Sequence, residues 1–281
     1  MKHAVLIAVV FALAAPLLAD VQRPLIMTSQ DHSLLTIDDC AHFYTRTVTS
    51  FPVQAQSEEQ HAVPLAGIGT LRVKASDEGG ISVKGWDRPV ARLTICKYAV
   101  GLTQVDADRT LRDVAVTWHN GDIRPRGPEA DNSRTWWVHL ILRVPRSAAV
   151  DLSASNGGIA IRNMSGRVTA RATNGAISIA GCDGESTLST ENGGISLENM
   201  TGRTQATTQN GPISIKLQNG SSRPTIEART DDLGDIRCRA KACIDTQLTR
   251  SGGSKLLRIS GGLPLIRLST GTAPIFIEQV R

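Results

Sequence analysis

The chain has 281 residues, of which 41% are hydrophobic and 4% aromatic, with a formal net charge of +5. This composition argues against a disordered chain, and the charge is too small to predict nucleic-acid binding, which needs a concentrated basic stripe. The 25 glycines and the scarcity of aromatic residues favour a thin core of aliphatic side chains.

Residues 1–19 resemble a secretory leader. Lys2 provides the positive start, an apolar run follows, and Ala19 before Asp20 is a suitable cleavage point. We therefore expect an exported protein, located in the periplasm, on the cell surface or outside the cell. An uncleaved leader that serves as an anchor is the alternative, because the three residues before the cut form a weaker site than Ala-x-Ala.

The segment 20–64 is polar and weakly periodic, and we interpret it as a weakly structured arm with room for a short strand. After it, alternating apolar and polar residues predict β-strands, including strands on both sides of a turn at Asn120-Gly121. Residues 102–113 have a helical spacing, which predicts one short helix.

A repeat of 18 residues dominates the region 150–220. Asn-Gly pairs recur at this interval and mark one turn of each unit, and a second set of glycines marks the other turn. The pairs are Asn156-Gly157, Asn174-Gly175, Asn192-Gly193 and Asn210-Gly211, and the second set is Gly166, Gly184, Gly202 and Gly220. Two fixed turns in every unit predict a stack of coils with two β-strands each.

Apolar residues occupy equivalent positions of every unit. Residues two apart share one face of a strand, so these columns are expected to line the core, opposite small residues of the preceding strand. The first column comprises Ile159, Ile177, Ile195 and Ile213, and the second comprises Ile161, Ile179, Leu197 and Ile215.

A meander of β-hairpins with type I′ Asn-Gly turns would share this pattern. However, Pro212 follows the fourth Asn-Gly pair, and proline cannot donate the hydrogen bond that closes a two-residue hairpin. We therefore predict an all-β protein with a right-handed parallel β-solenoid of two-sheet coils in residues 65–281 and a less regular N-terminal β portion. Stacked coils would also allow the asparagines to form a ladder of side-chain amides.

The Asn-Gly-x-Ile-x-Ile and Gly-x-Val units, together with residues 80–87 and the Val144-Pro145 junction, resemble the bacterial putative-adhesin family of β-strand-repeat domains. The resemblance covers about residues 65–281. It implies an envelope or secreted β-helix domain with a binding or structural role, and it brings no catalytic residues with it. The looser spacing after residue 220 departs from the family's regular pattern.

Candidate catalytic groups are sparse. Glu185, Glu191 and Glu198 come nearest to the carboxylate cluster that a β-helix lyase or hydrolase needs, and we interpret them as solvated surface residues. We therefore predict a non-enzymatic protein without a catalytic, cofactor or metal site. A carbohydrate-active β-helix enzyme is the first alternative. An ice-binding solenoid is the second, although the aligned serines of the isoleucine strands lack a neighbouring threonine ladder.

A candidate ligand face follows the regular repeats. Arg237, Arg239 and Lys241 alternate with apolar residues, which predicts three cations on one exposed strand face. Such charges protect an edge strand from aggregation, or they bind anionic envelope glycans or lipid headgroups. The chain also has five cysteines, so an oxidising compartment leaves at least one unpaired. Cys238 and Cys243 are close enough for a local disulfide, and burial of both as small apolar strand residues is the alternative.

Overall fold

The computed structural model describes residues 39–40, 51–219, 223–244 and 246–280. The predicted leader, residues 1–19, and the last glycine of the second turn, Gly220, lie outside the described residues. Within the described part of the chain, two large β-sheets face each other, one with 10 strands and one with 11.

The strands and the helix are defined as follows. In chain order they are β1 (Val53–Val63), β2 (Leu71–Lys74), β3 (Ile81–Trp86), β4 (Ala91–Gly101), α1 (Gln104–Asp113), β5 (Ala115–His119), β6 (Asp122–Arg126), β7 (Arg134–Pro145), β8 (Val150–Ala154), β9 (Ile159–Arg162), β10 (Val168–Ala172), β11 (Ile177–Ala180), β12 (Ser186–Thr190), β13 (Ile195–Glu198), β14 (Thr204–Thr208), β15 (Ile213–Leu217), β16 (Pro224–Asp231), β17 (Ile236–Cys238), β18 (Leu248–Ser251), β19 (Ser254–Ile259), β20 (Gly262–Thr270) and β21 (Ile275–Gln279). A short 3₁₀-helix spans Lys241–Cys243.

Coils of the same construction form the centre of the molecule, from β8 to β15. In each coil a strand of the 11-stranded sheet leads through an Asn-Gly corner to a strand of the 10-stranded sheet. Residues 18 apart in sequence are parallel neighbours, as Ala170 and Leu188 are in one sheet and Ile177 and Ile195 in the other. The predicted parallel solenoid with two-sheet coils is therefore confirmed.

The predicted inward columns fill the space between the sheets. All eight residues of the two apolar columns are at most 2% exposed, and the facing positions Leu152, Ala170, Leu188 and Ala206 are buried as well. Burial of each large aliphatic side chain contributes about 1.5–3 kcal/mol, so the columns are a main source of stability. A further inward column at the second corner was not predicted, and it consists of Met164, Cys182 and Met200.

The coils at both ends do not stack in the order of the sequence. β20 and β21 lie directly on β14 and β15, and β16 and β17 lie beyond them. At the other end β2 and β3 lie directly on β8 and β9, with β6 and β7 beyond. The loose spacing after residue 220 therefore reflects a change in stacking order, since Ile275 still pairs with Ile213.

Antiparallel strands cover both ends of the stack. β4 pairs with β7 and β1 with β4, while β19 pairs with β16 and β18 with β19. β5 and β6 form a hairpin whose turn residues, Asn120 and Gly121, have φ values of 48° and 80°. This is the left-handed geometry of an Asn-Gly hairpin turn. The four repeated Asn-Gly pairs do not adopt positive φ, so they are corners of coils and not hairpin turns.

Helix α1 packs against β1, β4 and β7 at the N-terminal end of the stack. Helix α1 confirms the predicted helix, and its N-cap Thr103 accepts a hydrogen bond from the backbone N–H of Asp106 at 3.2 Å. The segment interpreted as an arm contains β1, an 11-residue strand that is longer than expected. A disulfide between Cys40 and Cys96 fixes residues 39–40 against β4. No helix in the described ranges is long and apolar enough to cross a membrane.

Candidate functional site

The repeated asparagines form the predicted ladder along one edge of the stack. Asn174, Asn192 and Asn210 each donate a side-chain N–H to the amide oxygen of the preceding asparagine, at 2.7–2.8 Å. Asn156, the first of the four, donates to the carboxylate of Glu78 at 2.9 Å. Glu78 precedes Gly79 as each asparagine precedes its glycine, and it therefore takes the position of an asparagine in the next coil. The ladder ends on its carboxylate, whose negative charge complements the N–H donor of Asn156.

Removing an inner asparagine tests the contribution of the ladder to stability. Asn192 both donates to Asn174 and accepts from Asn210, so Asn192→Ala removes two hydrogen bonds. With a net value of about 0.5–1.5 kcal/mol for each of the two bonds, we expect the free energy of unfolding to fall by about 1–3 kcal/mol in urea titrations. Asn210→Ala removes the bond to Asn192 and should cost about half as much. Equal effects of the two variants would contradict a continuous ladder.

Buried threonines add a second set of bonds at the same corners. The hydroxyl of Thr190 donates to the carbonyl of Gly175 at 3.0 Å and accepts from the N–H of Gly193 at 3.1 Å. Thr208 repeats this arrangement with Gly193 and Gly211. The hydroxyls therefore connect successive coils inside the core, where an unpaired backbone group would be costly. The sequence analysis did not predict this role.

The candidate ligand face differs from its prediction. Only Arg237 lies on a strand, β17; Arg239 follows the strand end, and Lys241 belongs to the 3₁₀-helix. The disulfide between Cys238 and Cys243 explains the difference, because it holds Cα atoms five residues apart at 6.0 Å, whereas an extended strand would separate them by about 17 Å. The expectation of three cations on one strand face is therefore wrong.

The three cations are nevertheless exposed at the edge of the 10-stranded sheet, where β17 is the last strand. Arg237 forms an ion pair with Asp235 at 2.9 Å, and its guanidinium lies 5.9 Å from the ring centroid of Phe276. The pairing with Arg237 also holds the pKa of the Asp235 carboxyl below its usual value. Part of the positive charge of this segment is thus compensated within the chain.

An open groove of about 610 Å³ runs along the outer face of the 11-stranded sheet, beside the Asn-Gly corners. Its walls come from five adjacent strands, β2, β8, β10, β12 and β14, which contribute Lys74, Ser153, Arg171, Ser189 and Thr207 among others. Arg171 also pairs with Asp151 at 2.7 Å. The groove thus presents hydroxyl groups and a few charges over the length of several coils, a shape that fits an extended ligand.

The candidate carboxylates do not converge. Glu185 precedes β12 and lies 3.7 Å from Arg167, and Glu191 lines the groove. Glu198 ends β13 in the opposite sheet. This separation matches the interpretation of the three glutamates as surface residues.

A buried serine–histidine pair was not predicted. The Ser82 hydroxyl lies 3.1 Å from Nε2 of His139, and both residues are buried. Desolvation lowers the pKa of His139 to about 3, so the imidazole is neutral at physiological pH. Ser82 and His139 are 57 positions apart in the sequence, so the sequence analysis did not find this contact, and their burial gives a substrate no access.

The cysteines form two disulfides, Cys40–Cys96 and Cys238–Cys243, and Cys182 remains free and buried. Burial raises the pKa of the Cys182 thiol to about 11. Its side chain takes the inward position of Met164 and Met200 in neighbouring coils, so it acts as a small apolar core residue. The expected unpaired cysteine and the local disulfide are both present.

Comparison with known proteins agrees with this architecture. Residues 52–254 match the sequence model of a family described as "DUF4097: Toastrack DUF4097", while no curated protein matches the chain. A solved "putative cell adhesion protein" from Clostridium sporogenes ATCC 15579 is 8% identical over 80% of this chain and 100% of its own, with a TM-score of 0.37. A "putative adhesin" from Bacteroides fragilis NCTC 9343 is 9% identical over 80% and 97%, with a TM-score of 0.34. The family match over residues 52–254 confirms the resemblance seen in the sequence motifs.

Proposed function

Since the chain belongs to the Toastrack DUF4097 family, we propose that it is an exported, non-enzymatic domain of the cell envelope or extracellular space with a binding role. The observation that carries this proposal is the open groove across five adjacent strands, which suits an extended ligand better than a small molecule. The rigid corners support such a role, because amide and threonine ladders hold the groove walls in fixed register.

The partner that we propose is anionic, an envelope glycan or a lipid headgroup. Arg237, Arg239 and Lys241 form the first candidate contact, because all three are exposed at the sheet edge. The disulfide on the same segment restrains the chain around them, which lowers the entropic cost of binding. Positive groups at a fixed edge attract anionic polymers and anionic bilayers alike.

The function is tested by locating the protein and measuring its binding. We expect the full chain, expressed with residues 1–19, to appear in the periplasmic or culture fraction and to be retained on an envelope preparation. A protein that stays in the cytosol and binds neither glycans nor anionic vesicles would contradict the proposal.

The candidate ligand face has its own prediction. Replacing Arg237, Arg239 and Lys241 by glutamine removes three positive charges, and we expect retention on an immobilised anionic polysaccharide to weaken at least tenfold. Affinity chromatography at about 50 mM and about 200 mM salt checks the electrostatic origin, because the higher salt concentration screens exposed charges more strongly. Unchanged retention would remove this face from the proposed binding surface without touching the rest of the proposal.

A further inference from the structure

Four basic residues form a continuous row across the outer face of the 10-stranded sheet. Arg92 of β4 pairs in register with Arg143 of β7, Arg143 with Lys84 of β3, and Lys84 with Arg162 of β9. Adjacent strands are about 4.8 Å apart, so the row extends over about 14 Å. We call these four residues the basic row.

Charges alternate along the continuation of the same line. Beyond Arg162 the register passes through Ala180 to Glu198, Lys216 and Glu278 on successive strands. Like charges directly opposite each other destabilise a sheet, whereas opposite charges stabilise it. The second half of the line follows this rule, whereas the basic row places cations on neighbouring strands.

Trp86 and Arg88 extend the basic row at its edge. Trp86 follows Lys84 on the same face of β3, and its ring lies 5.1 Å from the guanidinium of Arg88 and 5.7 Å from that of Arg92. The indole N–H is bonded to the carbonyl of Val90 at 2.8 Å, which fixes the ring. Stacking on a fixed ring orients both guanidinium groups, so less entropy is lost when they bind an anion.

Arg162 carries an unsatisfied donor. Its Nε is shielded from solvent and has no hydrogen-bond partner among the described residues. A buried donor without an acceptor is unfavourable, and an oxyanion reached by a small rotation of the half-exposed guanidinium would provide one. Lys84 and Arg143 also have partners of their own within the protein, so Arg88, Arg92 and Arg162 are the main contacts that we assign to a ligand.

We propose that the basic row, with Trp86 and Arg88, binds a linear anionic polysaccharide that lies across the strands. The inference rests on the proposed binding function and adds to it a site on the sheet opposite the groove. Carboxylate or sulfate groups along such a chain match a line of cations at regular spacing, and arginine binds these groups with two hydrogen bonds. Arg237 lies on the same sheet, five strands beyond Arg162 or about 24 Å at strand spacing, so a long polymer can contact both.

A polysaccharide fits this surface better than a membrane. The cations form a line along one row of the sheet, whereas a bilayer favours a broad basic patch with apolar side chains that enter the interface. Trp86 cannot take that role in the present arrangement, because two guanidinium groups lie over its ring. Binding to anionic vesicles but to neither anionic polymer is therefore an outcome that would contradict the proposal.

The test compares two variants of the full chain with equal loss of charge. Arg88, Arg92 and Arg162 are replaced by glutamine in one, and Arg126, Arg203 and Arg250, exposed residues on or beside strands of the other sheet, in the second. Binding to dextran sulfate, polygalacturonate, neutral dextran and vesicles with anionic phospholipid is measured by biolayer interferometry. Thermal melting confirms that both variants are folded.

We expect the first variant to bind dextran sulfate and polygalacturonate at least tenfold more weakly than the wild type, and the second variant to stay within about twofold. Equal binding by the first variant and the wild type would overturn the site while leaving the proposed function intact. Wild-type binding to vesicles but to neither polymer would assign the row to a membrane and also overturn it. A wild type that binds no polymer, vesicle or envelope preparation would refute the proposed function itself.

Discussion

Replacing Ile195 by aspartate is expected to lower the free energy of unfolding by more than about 4 kcal/mol, because it buries a carboxylate without a partner. Ile195 is 2% exposed and lies on β13, in the middle of the stack. Its neighbours on the adjacent strands are Ile177 and Ile213, which offer no hydrogen-bonding side chain. A domain typically has only about 5–15 kcal/mol of stability, so much of the fold would be lost.

The adjacent residue provides the control. Ser196 lies on the same strand with its side chain on the outer face, so Ser196→Asp adds the same carboxylate to solvent and should change stability by less than about 0.5 kcal/mol. Circular dichroism during thermal unfolding compares the two variants with the wild type. Similar melting curves for the two aspartate variants would contradict the inward assignment of the isoleucine column.

The regular coils were predictable because their contacts repeat at one fixed distance along the chain. Every strand between β8 and β15 pairs with a strand 18 residues away. The residue pattern of one 18-residue unit therefore predicts which residues of the next unit pair with it. Turn residues, inward columns and the amide ladder follow from that single period. Pro274-Ile275-Phe276-Ile277 repeats the pattern of Pro212-Ile213-Ser214-Ile215, and Ile275 pairs with Ile213.

The end coils were not predictable in the same way. β20 pairs with β14 across 62 residues, as Leu268 does with Ala206, while β16 is displaced to the outside. An exposed sheet edge accepts any strand of suitable pattern, and the sequence spacing does not say which strand takes it. The stacking order depends instead on contacts between strands that are far apart in the sequence, such as β14 and β20.

The basic row was hidden for the same reason. Its order in space is Arg92, Arg143, Lys84 and Arg162, which is not their order in sequence. Each residue alone is an ordinary outward position of a strand, and only the register of four strands brings them into line. By contrast, the alternation around Arg237 is visible in the sequence. It predicted a strand longer than β17, because the chain turns at the disulfide between Cys238 and Cys243.

Gly157→Ala is the second variant for which we expect a large effect, about 3 kcal/mol or more of lost stability. A Cβ at this position would overlap the backbone carbonyl of Gly79 in the neighbouring coil. The backbone cannot yield as a flexible side chain can, so the coils would have to move apart and weaken the contacts around the corner. Gly157 does not have positive φ, so the requirement for glycine comes from the close approach of the coils.

The next glycine in the chain separates this cause from a general effect of alanine. A Cβ at Gly158 would lie 3.4 Å from the carbonyl oxygen of Ala176, an ordinary contact, and Ala176 itself occupies the same position one coil later. Gly158→Ala should therefore be neutral or stabilise the protein by about 0.4–1 kcal/mol, because alanine restricts the unfolded chain. Urea unfolding measures both variants. If the two alanines destabilised the protein equally, backbone freedom and not coil spacing would explain the repeated glycines.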